Sequence, residues 1–137
     1  MGAFSNYSKA NVANVLLRGT AYTTPGSVYL ALFYTDPTDT GSGGTEASYT
    51  GYARVSCGAT PSAAFTAVDG TGMTQNSNVV TFAANGSGST VTVAYWGLFD
   101  AATGGNMLLH GALSTSKSLD PSDVPSFPVN ALKITFA

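Results

Sequence analysis

The spacing of hydrophobic and polar residues changes near residue 20, and the part before that point has the spacing of a helix. Residues 5–18, with the sequence SNYSKANVANVLLR, place Val12, Val15 and Leu16 on one face when they are wound at 3.6 residues per turn. The pattern predicts one N-terminal helix, and these three apolar side chains are a candidate interface with another subunit.

Both ends of this helix have recognisable signals. Ser5 or Ser8 can accept a hydrogen bond from the backbone of the first turn, so each is a candidate N-cap. Arg18 lies in the last turn, where the helix dipole favours a cation. Gly19 follows it and can adopt the left-handed conformation that ends many helices, so we expect the helix to stop there.

Short runs rich in β-branched and aromatic residues follow, and glycine, proline and aspartate separate them. They predict strands at 27–35, 51–57, 64–68, 78–83, 90–99, 106–113 and 131–136. The first run is apolar on both faces, which is typical of a central strand covered on both sides. Together the runs predict a mainly β fold, a β-sandwich or a jelly-roll-like barrel with one N-terminal α-helix. The chain is then a single β-rich domain over 1–137, with the helix and arm in 1–19 and the β-domain in 27–137.

Two glycine-rich stretches predict tight connections between strands. Residues 85–89, NGSGS, lie between two strands of similar character and predict a β-hairpin. Residues 100–105, DAATGG, predict a second hairpin. In that turn we expect Asp100 to accept backbone hydrogen bonds and Gly104 and Gly105 to supply positive φ angles.

Charged residues are few, at 9% of the chain against about 25% in an average soluble domain, and the formal net charge is −2. A surface with so little charge favours burial against other subunits of an assembly. The basic residues, which are scattered, are Lys9, Arg18, Arg54, Lys117 and Lys133. The sequence therefore predicts no nucleic-acid partner and no anionic membrane surface, and no apolar run approaches the length of a membrane span.

The single histidine, His110, is the only candidate base for a Ser-His-Asp arrangement. Asp100 lies near it in sequence, but no serine of the chain sits in a G-x-S-x-G turn. Apolar residues flank the histidine on both faces of its predicted strand, which favours a structural position at the core rim or in an interface. We therefore predict no catalytic residue and no enzymatic activity.

A metal centre is also not expected. One cysteine, Cys57, and one histidine give no zinc pattern, and a lone cysteine forms no intrachain disulfide. The loop acids Asp36, Asp39 and Glu46 have the chemistry to meet a calcium ion, but the first two lie beside Pro37 and are typical turn formers. The sequence predicts neither a metal nor a cofactor.

A set of motifs runs along most of the chain. They are LLRGTAY (16–22), SVYLALFYTDPTD (27–39), TEASYTGYARVSC (45–57), NSNVVTFAA (76–84) and VAYWGLFDAATGGNMLLHGAL (93–113). With these motifs the chain resembles a family of small tailed-phage virion proteins, which are labelled tail fibre proteins or head decoration (cement) proteins. None of the motifs is catalytic, and in the family pattern DAATGGN is a hairpin between two strands.

The resemblance implies a non-enzymatic structural protein of the virion. Its first interpretation is a capsid decoration protein that binds the major capsid protein and stabilises the outer capsid surface. The alternative is a tail fibre, tail-tip or baseplate-associated protein involved in host attachment. In that case, exposed aromatic side chains would stack on a host glycan.

We also expect a homo-oligomer, because the chain has no disulfide or metal to stabilise it and its surface is poor in charge. A trimer is favoured for a decoration protein, since it matches the local threefold positions of an icosahedral capsid and an isologous dimer does not. The N-terminal helix and the loop 35–46 are the parts available to reach neighbouring subunits.

Overall fold

A computed structural model describes residues 2–136, and it confirms a mainly β protein with an N-terminal helix. The elements are β1 (Ala3–Phe4), α1 (Asn6–Arg18), β2 (Tyr29–Phe33), β3 (Val55–Ser56), α2 (Pro61–Ala64), β4 (Met73–Gln75), β5 (Val80–Thr81), β6 (Val91–Phe99), β7 (Met107–Leu119), β8 (Ser126–Phe127) and β9 (Lys133–Thr135). Within the described residues, neither helix has the length and apolar character that crossing a membrane requires.

Five strands form the central antiparallel sheet, in the order β1-β7-β6-β2-β3. Two small sheets, β4-β9 and β5-β8, share a core with one face of it, because Val80 and Ile134 are buried in the same cluster as Leu30 and Leu32. This layering agrees with the sandwich expectation. The barrel alternative is wrong: the edge strands β1 and β3 have two residues each, and the sheet does not close anywhere in residues 2–136.

The prediction that the first β run forms a central, doubly covered strand is confirmed. β2 lies between β6 and β3. Its side chains alternate, so that Leu30 and Leu32 enter the main core while Ala31 and Phe33 lie in a second buried cluster with Phe99. Because neither face meets solvent, both faces are apolar.

Helix α1 begins and ends at the residues that the sequence indicated. Ser5 is the N-cap, and its Oγ accepts a hydrogen bond from the backbone N of Ser8 at 3.1 Å. Gly19 ends the helix with φ 63°. The same Ser5 donates its hydroxyl to the carbonyl of Met107 and its backbone N–H to that of Leu108, so the helix starts fixed to β7. None of the residues of α1 is buried.

The strand predicted over 64–68 is wrong. Its first residue, Ala64, instead ends the short helix α2, which begins because the Thr60 hydroxyl accepts a hydrogen bond from the N–H of Ala63 at 3.3 Å and Pro61 occupies the first turn. After the helix, only Phe65 makes an isolated β-bridge, with Asn76, and residues 66–68 form no strand.

The hairpin predicted at 85–89 is also wrong, because β5 pairs with β8 and not with β6. Asn85 is buried and makes hydrogen bonds to the segment 119–123, which is distant along the chain. Its side-chain amide donates to the carbonyl of Leu119 at 2.9 Å, and its backbone N–H donates to that of Asp123 at 2.8 Å. These contacts hold the segment against 119–123, which places β5 next to β8.

Other strand lengths differ from the prediction. The run 51–57 contributes only Val55–Ser56 to the sheet, while β7 continues past residue 113 to Leu119. The N-terminal arm joins the sheet as well, since Ala3 pairs with His110 through β1. The arm and the β-domain therefore share one sheet.

Candidate functional site

Asp100 and His110, the candidate pair in the sequence, bond to different partners. Asp100 turns back on its own loop, where its carboxylate accepts hydrogen bonds from the backbone N–H and the side-chain amide of Asn106, at 2.7 and 2.9 Å. Gly104 and Gly105 have φ angles of 60° and 69° in the same turn between β6 and β7. A Cβ on Gly105 would lie 2.4 Å from a carboxylate oxygen of Asp100, so this position has no room for a side chain.

The side chain of Arg54 also binds the turn between β6 and β7. Its Nη1 donates to the carbonyls of Ala101 and Gly104, at 3.1 and 2.7 Å. Its Nε and Nη2 make a two-pronged ion pair with Glu46, at 2.8 and 2.9 Å. The guanidinium also lies over the ring of Phe99, 3.6 Å from its centroid. Sequence reasoning did not find this cluster, because its members are widely separated along the chain.

His110 is buried, and it bonds to the loop after β2. Its Nε2 lies 2.9 Å from a carboxylate oxygen of Asp39, and its Nδ1 lies 3.8 Å from Asp36. The other oxygen of Asp39 pairs with Lys9 of α1. The Lys9 ammonium and then the His110 ring hold the pKa of the Asp39 carboxyl below its usual range. The cluster therefore ties α1, the loop and β7 together.

The surroundings of His110 lack a partner for nucleophilic catalysis. A shallow pocket of about 210 Å³ opens beside the ring, and its other lining residues are Gly2, Ala3, Asp36, Tyr95, Gly111 and Ala112. No serine, threonine or cysteine is among these lining residues. Burial raises the pKa of the Cys57 thiol to about 12, so this side chain is a protonated core residue and not a nucleophile. A histidine held by a carboxylate is here a structural clamp.

The three loop acids do not share one site, because Asp36 and Asp39 both lie beside His110 while Glu46 pairs with Arg54. Asp36 accepts a hydrogen bond from the backbone N of Thr38 at 2.8 Å, as a turn former does, while Asp39 and Glu46 are bound to His110 and Arg54. In the part of the chain from 2 to 136, no three histidine, cysteine, aspartate or glutamate residues are placed to hold a metal ion.

An apolar groove of about 450 Å³ lies between α1 and the β body. Val12, Val15 and Leu16 line the helix side of it, and Leu108 and Leu109 of β7 line the opposite side. No charged side chain is among its lining residues. The three candidate interface residues are therefore open to solvent, with exposed fractions of 40%, 43% and 75%.

These features define a mainly β protein in which the organised polar groups around Asp39 and Arg54 hold distant elements together. The sequence profile described as "Podophage GP4 fiber I protein gp80" matches residues 3–135. Because the match spans nearly the whole chain, this chain belongs to that family of phage structural proteins, and it is located in the virion. The resemblance to tailed-phage virion proteins is thereby confirmed. Among curated proteins, no match to the chain was found.

Proposed function

We propose that the chain is a non-enzymatic subunit of a virion fibre, where it acts by contacting neighbouring subunits. The observation that carries the proposal is the match of 3–135 to a family described as a fibre protein. The uncharged groove beside α1 supports it, because an exposed apolar groove offers a surface suited to protein–protein contact.

The environments of the single histidine and the single cysteine support the absence of enzymatic activity. His110 is occupied by Asp39, and Cys57 is buried with a raised pKa. We expect purified protein to hydrolyse no ester, peptide or glycoside, and a His110→Gln variant to be equally inactive. A turnover that disappears in this variant, while its circular dichroism spectrum is unchanged, would contradict the proposal.

The location within the virion can be tested directly. Virions labelled with a gold-tagged antibody against this chain should carry gold at the tail or at fibres around it. Purified protein should also reduce phage adsorption to the host if the fibre takes part in attachment. Labelling spread evenly over the capsid would overturn the fibre proposal.

A second candidate function is decoration of the capsid, with the major capsid protein as partner. The charge-poor composition supports it, because a surface with 9% charged residues is suited to burial on a lattice of neighbours. In that role the chain would be a trimer on the local threefold positions. Particles that lack a decoration protein would then look intact but break at a lower temperature or under milder osmotic stress than complete particles. Particles that lack a fibre subunit would instead be as stable as complete particles but adsorb poorly to the host.

Direct glycan stacking receives little support from the side chains. The only tryptophan, Trp96, is buried, and the tyrosine and phenylalanine side chains within 2–136 are buried or only partly exposed. The aromatic residues therefore serve mainly the core. In the proposed fibre role, this chain contributes assembly contacts and not an aromatic platform for a sugar.

A further inference from the structure

The shallow pocket beside His110, called here the His110 pocket, meets one nitrogen of the ring that lacks a partner. His110 is 8% exposed, and its Nε2 lies 2.9 Å from a carboxylate oxygen of Asp39. Because an ionised carboxylate only accepts hydrogen bonds, the single ring proton of a neutral histidine belongs on Nε2 here. Nδ1 is then an acceptor, and it has no hydrogen-bond partner among residues 2–136. Asp36 lines the pocket and Asp39 does not, so Nδ1 is on the pocket side of the ring.

Asp36 supplies a second acceptor at the same pocket. Its Oδ1 lies 3.8 Å from Nδ1 of His110, and its side chain is 52% exposed. The same oxygen accepts a hydrogen bond from the backbone N–H of Thr38 at 2.8 Å, which fixes the carboxylate in place. The pocket therefore presents two acceptors close together, and neither provides the proton that the other needs.

The charges around the pocket favour a cation. Asp36 and Asp39 carry two negative charges, and Lys9, which pairs with Asp39, supplies one positive charge. The carboxylate of Asp36 is thus left without a cation when the histidine is neutral. Tyr95 also lines the pocket, and an aromatic side chain is a favourable neighbour for an ammonium group.

The remaining walls set the shape of the ligand. They consist of glycine and alanine only, and the pocket has a volume of about 210 Å³; these wall residues are Gly2, Ala3, Gly111 and Ala112. Such small residues leave room for a slender, unbranched chain. The aliphatic stem of a lysine side chain packs well against apolar surface while its charged end bonds to polar groups.

We propose that the His110 pocket binds the ammonium group of a lysine side chain from a neighbouring protein in the virion. One ammonium nitrogen can lie at about 2.8 Å from both acceptors, the usual length of a charge-assisted hydrogen bond, because Nδ1 and the Asp36 oxygen are 3.8 Å apart. The inference deepens the proposed function, since it names the chemistry that a neighbouring subunit presents. The pocket itself can be tested on the chain alone.

The first test is an NMR titration of the purified chain with n-butylammonium chloride at pH 8, where histidine side chains are ordinarily neutral. The amide signals of Gly111 and Ala112 should shift and saturate. Asp36→Asn should weaken binding by about fivefold, because the charge is lost while the amide oxygen still accepts from Thr38. 1-Butanol, which has the same stem without the charge, should not bind.

Asp69→Asn is the matched control. Asp69 accepts a hydrogen bond from the backbone N–H of Thr71, two residues on, at 2.8 Å, just as Asp36 does from Thr38. It does not line the pocket. Three results would overturn the site: no saturable shift, binding of 1-butanol as tight as that of the amine, or an equal loss of affinity in Asp36→Asn and Asp69→Asn.

The second test identifies the source of the ammonium group. A water-soluble carbodiimide joins carboxylates to amines in contact, and peptide mass spectrometry of treated virions should find Asp36 joined to a lysine of another virion protein. The pair Lys9 and Asp39 is the internal control, because its link forms within one chain. The Asp36 link should be absent from Asp36→Asn virions.

Two outcomes of the cross-linking would overturn the lysine partner. One is a link from Asp36 only to an amine of its own chain, and the other is no link at Asp36 while Lys9 and Asp39 are joined. Failure of the fibre proposal is distinguishable, because gold labelling over the capsid would reject the fibre location and leave the binding of n-butylammonium unaffected.

Discussion

At the scale of single residues, buried polar groups with several fixed partners decide the local geometry. The Arg54 side chain is only 9% exposed, and it combines an ion pair, two carbonyl contacts and a ring contact. An arginine in such a site is costly to leave without its partners, so it locks the turn between β6 and β7 in one conformation. The glycines of that turn are then held at positive φ.

The two glycines of this turn should respond differently to substitution. Gly104→Ala adds a Cβ in open space and should cost about 1–2 kcal/mol of unfolding free energy, through its left-handed backbone alone. Gly105→Ala should cost more, because the new Cβ would also collide with Asp100 and Ala101. Urea unfolding of both variants measures the difference. Equal losses would contradict this account of the turn.

The contacts of Asp39 with Lys9 and His110, called here the Asp39 clamp, predict that the stability of the fold depends on pH. Lys9 and His110 lower the pKa of Asp39, so the ionised carboxylate stabilises the fold at pH values above its ordinary pKa of about 3.9. This contribution to the free energy of unfolding is lost as the pH falls through the lowered pKa. In Lys9→Met the Asp39 carboxyl should titrate at a higher pH than in wild type, as followed by NMR. Lys133→Met should leave the titration unchanged, and an equal shift in both variants would rule out the clamp.

At the scale of elements, helix α1 depends on the rest of the molecule. A helix of 13 residues is marginal by itself in water. Only its first turn is fixed, through Ser5 to β7 and through Asn6 and Lys9 to the loop at Asp39. The second half extends along the groove, where Val12 and Val15 are partly covered and Leu16 is 75% exposed. The element is therefore anchored at one end and available for contact at the other.

The two serines that could cap α1 provide a matched pair of variants. Ser5→Ala removes both the cap to Ser8 and the hydroxyl bond to the carbonyl of Met107, so it should cost about 1–2 kcal/mol in urea unfolding. Ser8→Ala should change the unfolding free energy little, because its side chain caps nothing. A larger loss from Ser8→Ala would contradict the cap.

At the scale of the whole molecule, helix α1 lies beside the β-sheets, and an apolar groove runs between the helix and the sheets. The same sheet includes the N-terminal arm, because Ala3 and Phe4 pair with β7 and the ring of Phe4 packs on that of Phe136. Removing residues 1–18 would therefore take away an edge strand together with the helix. Substitutions on α1 separate the two effects.

A double variant, Leu16→Asp with Leu17→Asp, should fold but fail to enter virions. The physical reason is that the exposed apolar surface of α1 becomes charged while the core stays the same. Mass spectrometry of purified particles measures incorporation, and Val68→Asp with Val129→Asp serves as the control pair. Normal incorporation of the double variant would show that α1 is not the assembly surface.

The sequence by itself determined the features whose causes lie within a few neighbouring residues. Helix α1 was predictable because Ser5 caps it, Gly19 ends it and its apolar spacing lies between them. The doubly covered strand β2 was predictable from its apolar runs on both faces, and the turn at Gly104 and Gly105 from its local chemistry. In each case, the sequence signal that allowed the prediction lies within the segment itself, although distant residues such as Arg54 also stabilise the result.

Tertiary structure alone decided the partners that are distant along the chain. His110 meets Asp39, 71 residues away, and not Asp100, and Arg54 reaches a turn 50 residues further on. β5 pairs with β8 because the buried amide of Asn85 bonds to Leu119, a contact that no hairpin signal contains. A short polar or β-branched pattern is compatible with many partners, and only the packing of the whole chain selects one of them.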